Sequence, residues 1–107
     1  MWTYLNKNPY GREVNDCVVR AISEAECKDW DEVYSELSTL AQKQGILLDD
    51  MRFVEPYLDS RYSRTCYKHN GERMTVGDFI REHTEGIYLI TMQSHITCSI
   101  DGIIYDT

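Results

Sequence analysis

Residues 95–107 read His95-Ile-Thr-Cys-Ser-Ile-Asp-Gly-Ile-Ile-Tyr-Asp-Thr107. Asp101-Gly102 is a two-residue pair that favours a tight turn with positive φ, and the flanking residues are rich in the β-branched and aromatic types that strands prefer. The stretch therefore predicts a β-hairpin. Its turn fixes the register: Ile100 pairs with Ile103, Thr97 falls opposite Asp106, and period-two alternation puts His95 on the face that carries Thr97. Asp106 becomes a diagonal neighbour of His95. Just upstream, Ile87-Tyr-Leu-Ile-Thr-Met has the same strand composition, so the C-terminal part of the chain predicts an antiparallel sheet.

Upstream of that sheet the period is helical. Asn15 and Asp16 are good caps, and Val18, Val19, Ala21, Ile22 and Ala25 follow at spacings that predict a mostly buried helix from Cys17 to Glu26. Asp29 and Glu32 stand as a capping box ahead of Trp30, Val33, Tyr34, Leu37, Leu40 and Ala41, and Gly45 supplies the stop. The stripe of Trp30, Tyr34 and Leu37 reads as core. Pro56 would remove a backbone bond inside a long helix, which predicts a short helix beginning near Glu55. Ser63–Lys68 reads as a strand, His69-Asn70-Gly71-Glu72 as a turn, and Thr75 with Asp78 as the cap of a two-turn helix ending before Gly86. The first segment, 1–14, is polar, with a loop marked by Asn8-Pro9-Tyr10-Gly11. The class is α+β, N-terminal helices packed on a C-terminal antiparallel β-sheet, in a single domain over residues 1–107.

Composition narrows the partners. Eleven Lys and Arg against eighteen Asp and Glu give a net charge of -7, which disfavours a nucleic-acid phosphate backbone and suits a solvated surface. No apolar run approaches a membrane span, and Met1-Trp-Thr-Tyr-Leu-Asn-Lys-Asn-Pro lacks the regions of a signal peptide, so a cytoplasmic protein with no membrane partner is expected. The four cysteines, Cys17, Cys27, Cys66 and Cys98, contain no Cys-x-x-Cys pair, which favours free thiols in a reducing compartment.

Cys17 stands apart because it opens a helix, where the positive end of the helix dipole favours thiolate over thiol. A thiolate nucleophile needs a proton carrier, and histidine performs this best at neutral pH. His69 and His83 occupy a turn and a helix end, common places for solvated histidines, whereas His95 opens a strand with Asp106 placed to orient its ring. Nucleophile, base and orienter are thus Cys17, His95 and Asp106. The side-chain amide of Asn15, with the backbone N–H of Cys17, is the candidate oxyanion donor.

Asn15-Asp-Cys-Val-Val-Arg-Ala-Ile-Ser, then a helical region, then Gly86-Ile-Tyr-Leu-Ile, His95-Ile-Thr and Asp101-Gly-Ile-Ile-Tyr-Asp-Thr together resemble the papain-like cysteine peptidases. The likeness is to the small double-glycine-peptidase-like proteins of phages and bacteria. This resemblance implies a cysteine on the first core helix, a histidine beginning a strand and an Asp or Asn on the next, carried here by Cys17, His95 and Asp106. It implies a cysteine hydrolase that cleaves an amide, peptide or thioester bond in a peptide or protein substrate through an acyl-enzyme, without cofactor or metal. The glutamine that usually stands ahead of the nucleophile is absent, with Gly11 in its place.

Competing readings attach to the same residues. Free cysteines are among the most buried residue types, so Cys27, Cys66 and Cys98 are expected as buried or half-buried small residues. Asn15 can serve as no more than a helix cap. Cys66-x-x-His69 and His95-x-x-Cys98 hold zinc-ligand types, but residues three apart on a strand point to opposite faces. A different class of function is a papain-fold binding module without catalysis, such as a phage protein that antagonises a host factor.

Overall fold

The chain runs β1 (Trp2–Tyr4), α1 (Cys17–Glu26), α2 (Trp30–Gln44), α3 (Met51–Arg61), β2 (Lys68–His69), β3 (Glu72–Arg73), α4 (Val76–Glu82), β4 (Ile87–Met92), β5 (His95–Ile100) and β6 (Ile103–Asp106). The computed structural model describes residues 2–65, 68–69, 72–92 and 95–107, the side chains of 68–69 and 72–73 excepted. It is a mixed α+β fold in which helices precede a C-terminal sheet of order β1-β6-β5-β4. Asp101 and Gly102 take positive φ of 51° and 79° and close the hairpin with Ile100 opposite Ile103 and Cys98 opposite Tyr105, the register that the turn predicts.

The sheet is not wholly antiparallel. Trp2, Thr3 and Tyr4 pair in parallel with Ile104, Tyr105 and Asp106, so the polar first segment contributes a short edge strand whose partner is at the far end of the chain. The turn at Asn8-Pro9-Tyr10-Gly11 does form, closed by the Gly11 N–H on the Asn8 carbonyl at 3.0 Å, with Gly11 at φ 68°.

Helix α1 packs against β5, with further contact to β4, β6 and α2. Its Val19 and Ile22 join Val33 and Leu37 of α2, Phe53 and Val54 of α3, and Ile96 and Cys98 of β5 in one apolar core. Within α2 the buried residues are Val33, Leu37 and Ala41. Tyr34 stays 44% exposed, stacked on the half-buried Trp30 at 5.0 Å, so the stripe read as core is displaced by one position on the helix. Asp29 is the N-cap of α2 without a side-chain cap bond, and Gly45 ends the helix in the left-handed conformation.

The break expected at Pro56 does not occur, because α3 begins at Met51 and runs through the proline. Three features sustain it. Asp50 caps the helix by accepting from the Arg52 N–H at 2.9 Å, Phe53, Val54 and Tyr57 bury one face, and Pro56 sits on the exposed side next to water. Residues 63–65, read as a strand, are irregular. The strand is Lys68–His69, paired with Glu72–Arg73, and the centre of the turn at 70–71 lies outside the described residues.

Helix α4 starts as the Thr75 and Asp78 pair predicts: Thr75 Oγ1 accepts from the Asp78 N–H at 3.1 Å. Thr75→Ala is expected to cost about 1 kcal/mol of stability, the usual worth of such a cap. Urea unfolding monitored by circular dichroism would read this as a lowered midpoint at unchanged slope, and an unmoved midpoint would deny the cap any role.

Candidate functional site

The cluster around Asp106 assembles at the first turn of α1 and the open end of the β5–β6 hairpin. By the hairpin register His95, Thr97 and Asp106 share a face, and the His95 Nε2 lies 2.7 Å from Asp106 Oδ2. A carboxylate accepts only, so Nε2 carries the hydrogen of that bond and the lone pair of a neutral ring is left on Nδ1. The other oxygen, Asp106 Oδ1, accepts from Arg20 Nη1 at 2.5 Å and from the Thr107 N–H at 2.8 Å. Burial pushes the Asp106 carboxyl up, but the hydrogen bonds led by His95, with those of Thr107 and Arg20 among them, outweigh it and hold the group at about 2.

Arg20 extends the network back to the helix start. Its Nε donates to Asp16 Oδ1 at 2.7 Å, and Asp16 Oδ2 accepts from the indole N–H of Trp30 at 2.8 Å. One guanidinium therefore spans two carboxylates with separate donors, an arrangement that suits its planar fork. The side chains of Arg20, Asp16 and Asp106 are 11%, 6% and 13% exposed, while His95 at 36% remains open to solvent. Burial works against the Arg20 charge, and the bonds to Asp16 and Asp106 more than offset it, raising the guanidinium above its ordinary value.

Cys17 is the first residue of α1, half-buried and packed against the core. It precedes Arg20 by three positions, which puts the two on the same side of the helix. Asp16 occupies the N-cap position, yet its carboxylate is committed to Arg20 and Trp30 and makes no cap bond, so the first N–H groups of α1 have no side-chain acceptor.

Of the residues singled out from the sequence, His95 and Asp106 are in direct contact. Cys17 shares a helix side with Arg20, and among the described residues no cysteine is hydrogen-bonded to a histidine. Asn15 is exposed at a tight turn closed by the Asp16 N–H on the Val14 carbonyl at 2.8 Å, and Asp16, not Asn15, stands at the N-cap. Cys27 is not buried but exposed, in the left-handed conformation that ends α1. Cys98 is fully buried, which pushes its thiol up to about 12 with the Glu24 charge adding to the effect. Cys66 lies outside the described residues.

His83 is no freely solvated ring: its Nδ1 lies 2.9 Å from the Phe79 carbonyl and it stacks on Phe79 at 4.0 Å. β5 pairs with β4 without a bulge from His95 to Ile100, so His95 and Cys98 point to opposite faces. Among the described residues no group of three or more His, Cys, Asp and Glu could hold a metal ion, and no helix is long and apolar enough to cross a membrane.

Arg20, Asp16 and Trp30 were missed by the sequence reading. The signal was present in the Asp16-x-x-x-Arg20 spacing, an ion-pair distance at the start of a helix whose residues 17–22 are otherwise apolar. A cavity of about 1080 Å³ opens nearby between α3, α4 and β4. Its β4 wall reaches Met92, the residue paired with His95. Comparisons with models of protein families, with curated proteins and with solved structures found no match for this chain.

Proposed function

We propose that this protein is a papain-like cysteine hydrolase acting on an amide, peptide or thioester bond of a peptide or protein substrate, with Cys17 as nucleophile, His95 as proton carrier and Asp106 as orienter. The observation that carries the reading is the 2.7 Å bond from His95 to a carboxylate that is itself tied, through Arg20, to the helix turn bearing Cys17. Three described thiols, Cys17, Cys27 and Cys98, are free, which suits a reducing, cytoplasmic setting.

In the proposed reaction the Cys17 thiolate attacks the substrate carbonyl carbon, and the carbonyl π electrons move to oxygen. The uncapped N–H groups at the start of α1, that of Cys17 first, are suited to receive the oxyanion, with the exposed Asn15 amide as a further donor. The intermediate collapses, the bond to the leaving amine or thiolate breaks, and His95 supplies its proton. Water then attacks the acyl-thioester while His95 takes a proton, and the thiolate leaves with the acyl group released as a carboxylic acid. Asp106 holds the ring by Nε2 throughout and stabilises the imidazolium present before the leaving group departs and again after water attacks, the ring being neutral in the acyl-enzyme. The cavity between α3, α4 and β4 does not include Cys17 or His95 in its walls but ends at Met92, the strand partner of His95, and is the candidate seat for the rest of a peptide substrate.

Iodoacetamide labelling at pH 7, resolved by mass spectrometry, tests the nucleophile. Cys17 is expected to react faster than the more exposed Cys27 by roughly tenfold or more, although accessibility alone predicts the reverse order. Cys98 should stay unlabelled until the protein unfolds. Labelling of Cys27 ahead of Cys17 would remove the ground for a nucleophile at the helix start.

A binding module without catalysis is the second reading. It is favoured by exposed aromatic rings on and near the β1 edge, Trp2 at 57%, Tyr4 at 54% and Tyr10 at 76%. A partner that remains bound to Cys17→Ser, with no covalent adduct on the wild-type thiol, would decide for it.

A further inference from the structure

The geometry points to Arg20 as a positioning residue for the His95–Asp106 pair, one that fixes which oxygen of Asp106 meets the imidazole and ties the ring's orientation to the α1 turn that carries Cys17. This rests on the hydrolase reading of the site, and it adds a fourth member that the nucleophile, base and orienter logic does not require.

An Asp side chain can rotate about its terminal torsion, which is broad, and offer either oxygen to a neighbour. Asp106 cannot do so without loss. Its Oδ1 is held by Arg20 Nη1 and by the Thr107 N–H, which leaves Oδ2 for His95 Nε2 at 2.7 Å. Arg20 is itself held, since its Nε is fixed on Asp16 Oδ1 and Asp16 is fixed by the Trp30 indole at the start of α2. Orientation is therefore passed from the α1–α2 junction to the imidazole through consecutive charge-assisted hydrogen bonds of 2.5–2.8 Å. The carboxylates and the guanidinium are mostly buried, so water competes weakly for these donors and acceptors.

A salt bridge that served stability alone would not need this division of labour. Arg20 has Asp16 one turn earlier on its own helix and places its Nε there. Its Nη1 reaches across to the sheet, to the carboxylate that holds His95.

The test compares wild type with Arg20→Gln and Arg20→Lys. NMR relaxation of the His95 ring carbons reads ring order, and reaction with p-nitrophenyl acetate separates a burst, the acylation of Cys17, from a slow phase, the water attack that needs His95 as base. Arg20→Gln is expected to lower the ring order of His95 and to slow the second phase by roughly 10- to 100-fold, the loss associated with about 1 Å of misplacement. Arg20→Lys, which still donates to Asp106, should recover part of both. Unchanged ring order in Arg20→Gln overturns the proposal. Should Arg20→Gln not fold, Trp30→Phe, which removes the indole bond to Asp16 and keeps an aromatic ring against Tyr34, carries the same ring measurement with the same two outcomes. A wild type that shows no burst on Cys17 sinks the hydrolase reading instead, and the ring measurement still decides whether Arg20 positions His95.

Discussion

His95→Ala is expected to lower the slow phase of p-nitrophenyl acetate hydrolysis by about 10²- to 10⁴-fold, the usual contribution of a positioned proton carrier. The described residues supply no evident substitute. The ring of His83 is engaged with the Phe79 carbonyl and stacked on its ring, and it belongs to α4 rather than to the Asp106 cluster. Stability should change by no more than about 1 kcal/mol, because His95 is partly exposed and Asp106 keeps its bond to Arg20 when the ring is gone. The variant therefore separates chemistry from folding. Full turnover in folded His95→Ala would remove the mechanism, whereas Cys17→Ser should abolish the burst and thereby show that the acyl group had been on that sulfur.

The parts of this structure that the sequence made legible are those where a local rule acts alone. Asp101-Gly102 demands positive φ, the turn sets the register, and the register brings Asp106 diagonally to His95. The bounds of α1 and the Thr75 cap of α4 were legible for the same reason. Misreadings occurred where a long-range partner overrode the local rule. Asp16 was read as a cap, but Arg20 and Trp30 claim its carboxylate. Pro56 was read as a breaker, but the Asp50 cap and the burial of Phe53, Val54 and Tyr57 carry the helix across it. Trp2–Tyr4, within the polar segment 1–14, drew no strand assignment because its pairing partner, Ile104–Asp106, lies at the other end of the chain. Nor could spacing tell that Cys27 ends its helix in an exposed left-handed conformation.

The candidate site divides along the same line. His95 with Asp106 is a hairpin relation and follows from sequence, whereas the tie from Asp106 to α1 is a tertiary relation spanning residues 20 and 106. Arg20 as the one charged residue among the otherwise apolar positions 17–22 of α1 was the available hint, since a buried guanidinium requires anionic partners, and Asp16 one turn earlier supplies only the first.

That tertiary tie makes Asp106→Ala strongly disruptive. Removal of the carboxylate leaves a mostly buried guanidinium with one partner and takes the orienter from His95. Breaking a buried pair costs roughly 3–5 kcal/mol, and the loss here should fall near about 3 kcal/mol because Asp16 still holds Arg20. The pH dependence gives an independent check on the same group. Asp106 titrates at about 2 in the folded protein against an ordinary carboxyl value of about 3.9, so its contribution is present in full above pH of about 4 and disappears as the pH falls through about 2. At 1.36 kcal/mol per unit that depression is worth about 2–3 kcal/mol. Urea midpoints measured across this range should therefore fall more steeply in wild type than in Asp106→Ala, and the two proteins should converge at the acid end. Parallel acid limbs would mean that the carboxylate is not held by His95 and Arg20 in solution, and with that the link between the α1 turn and the imidazole would lose its physical basis.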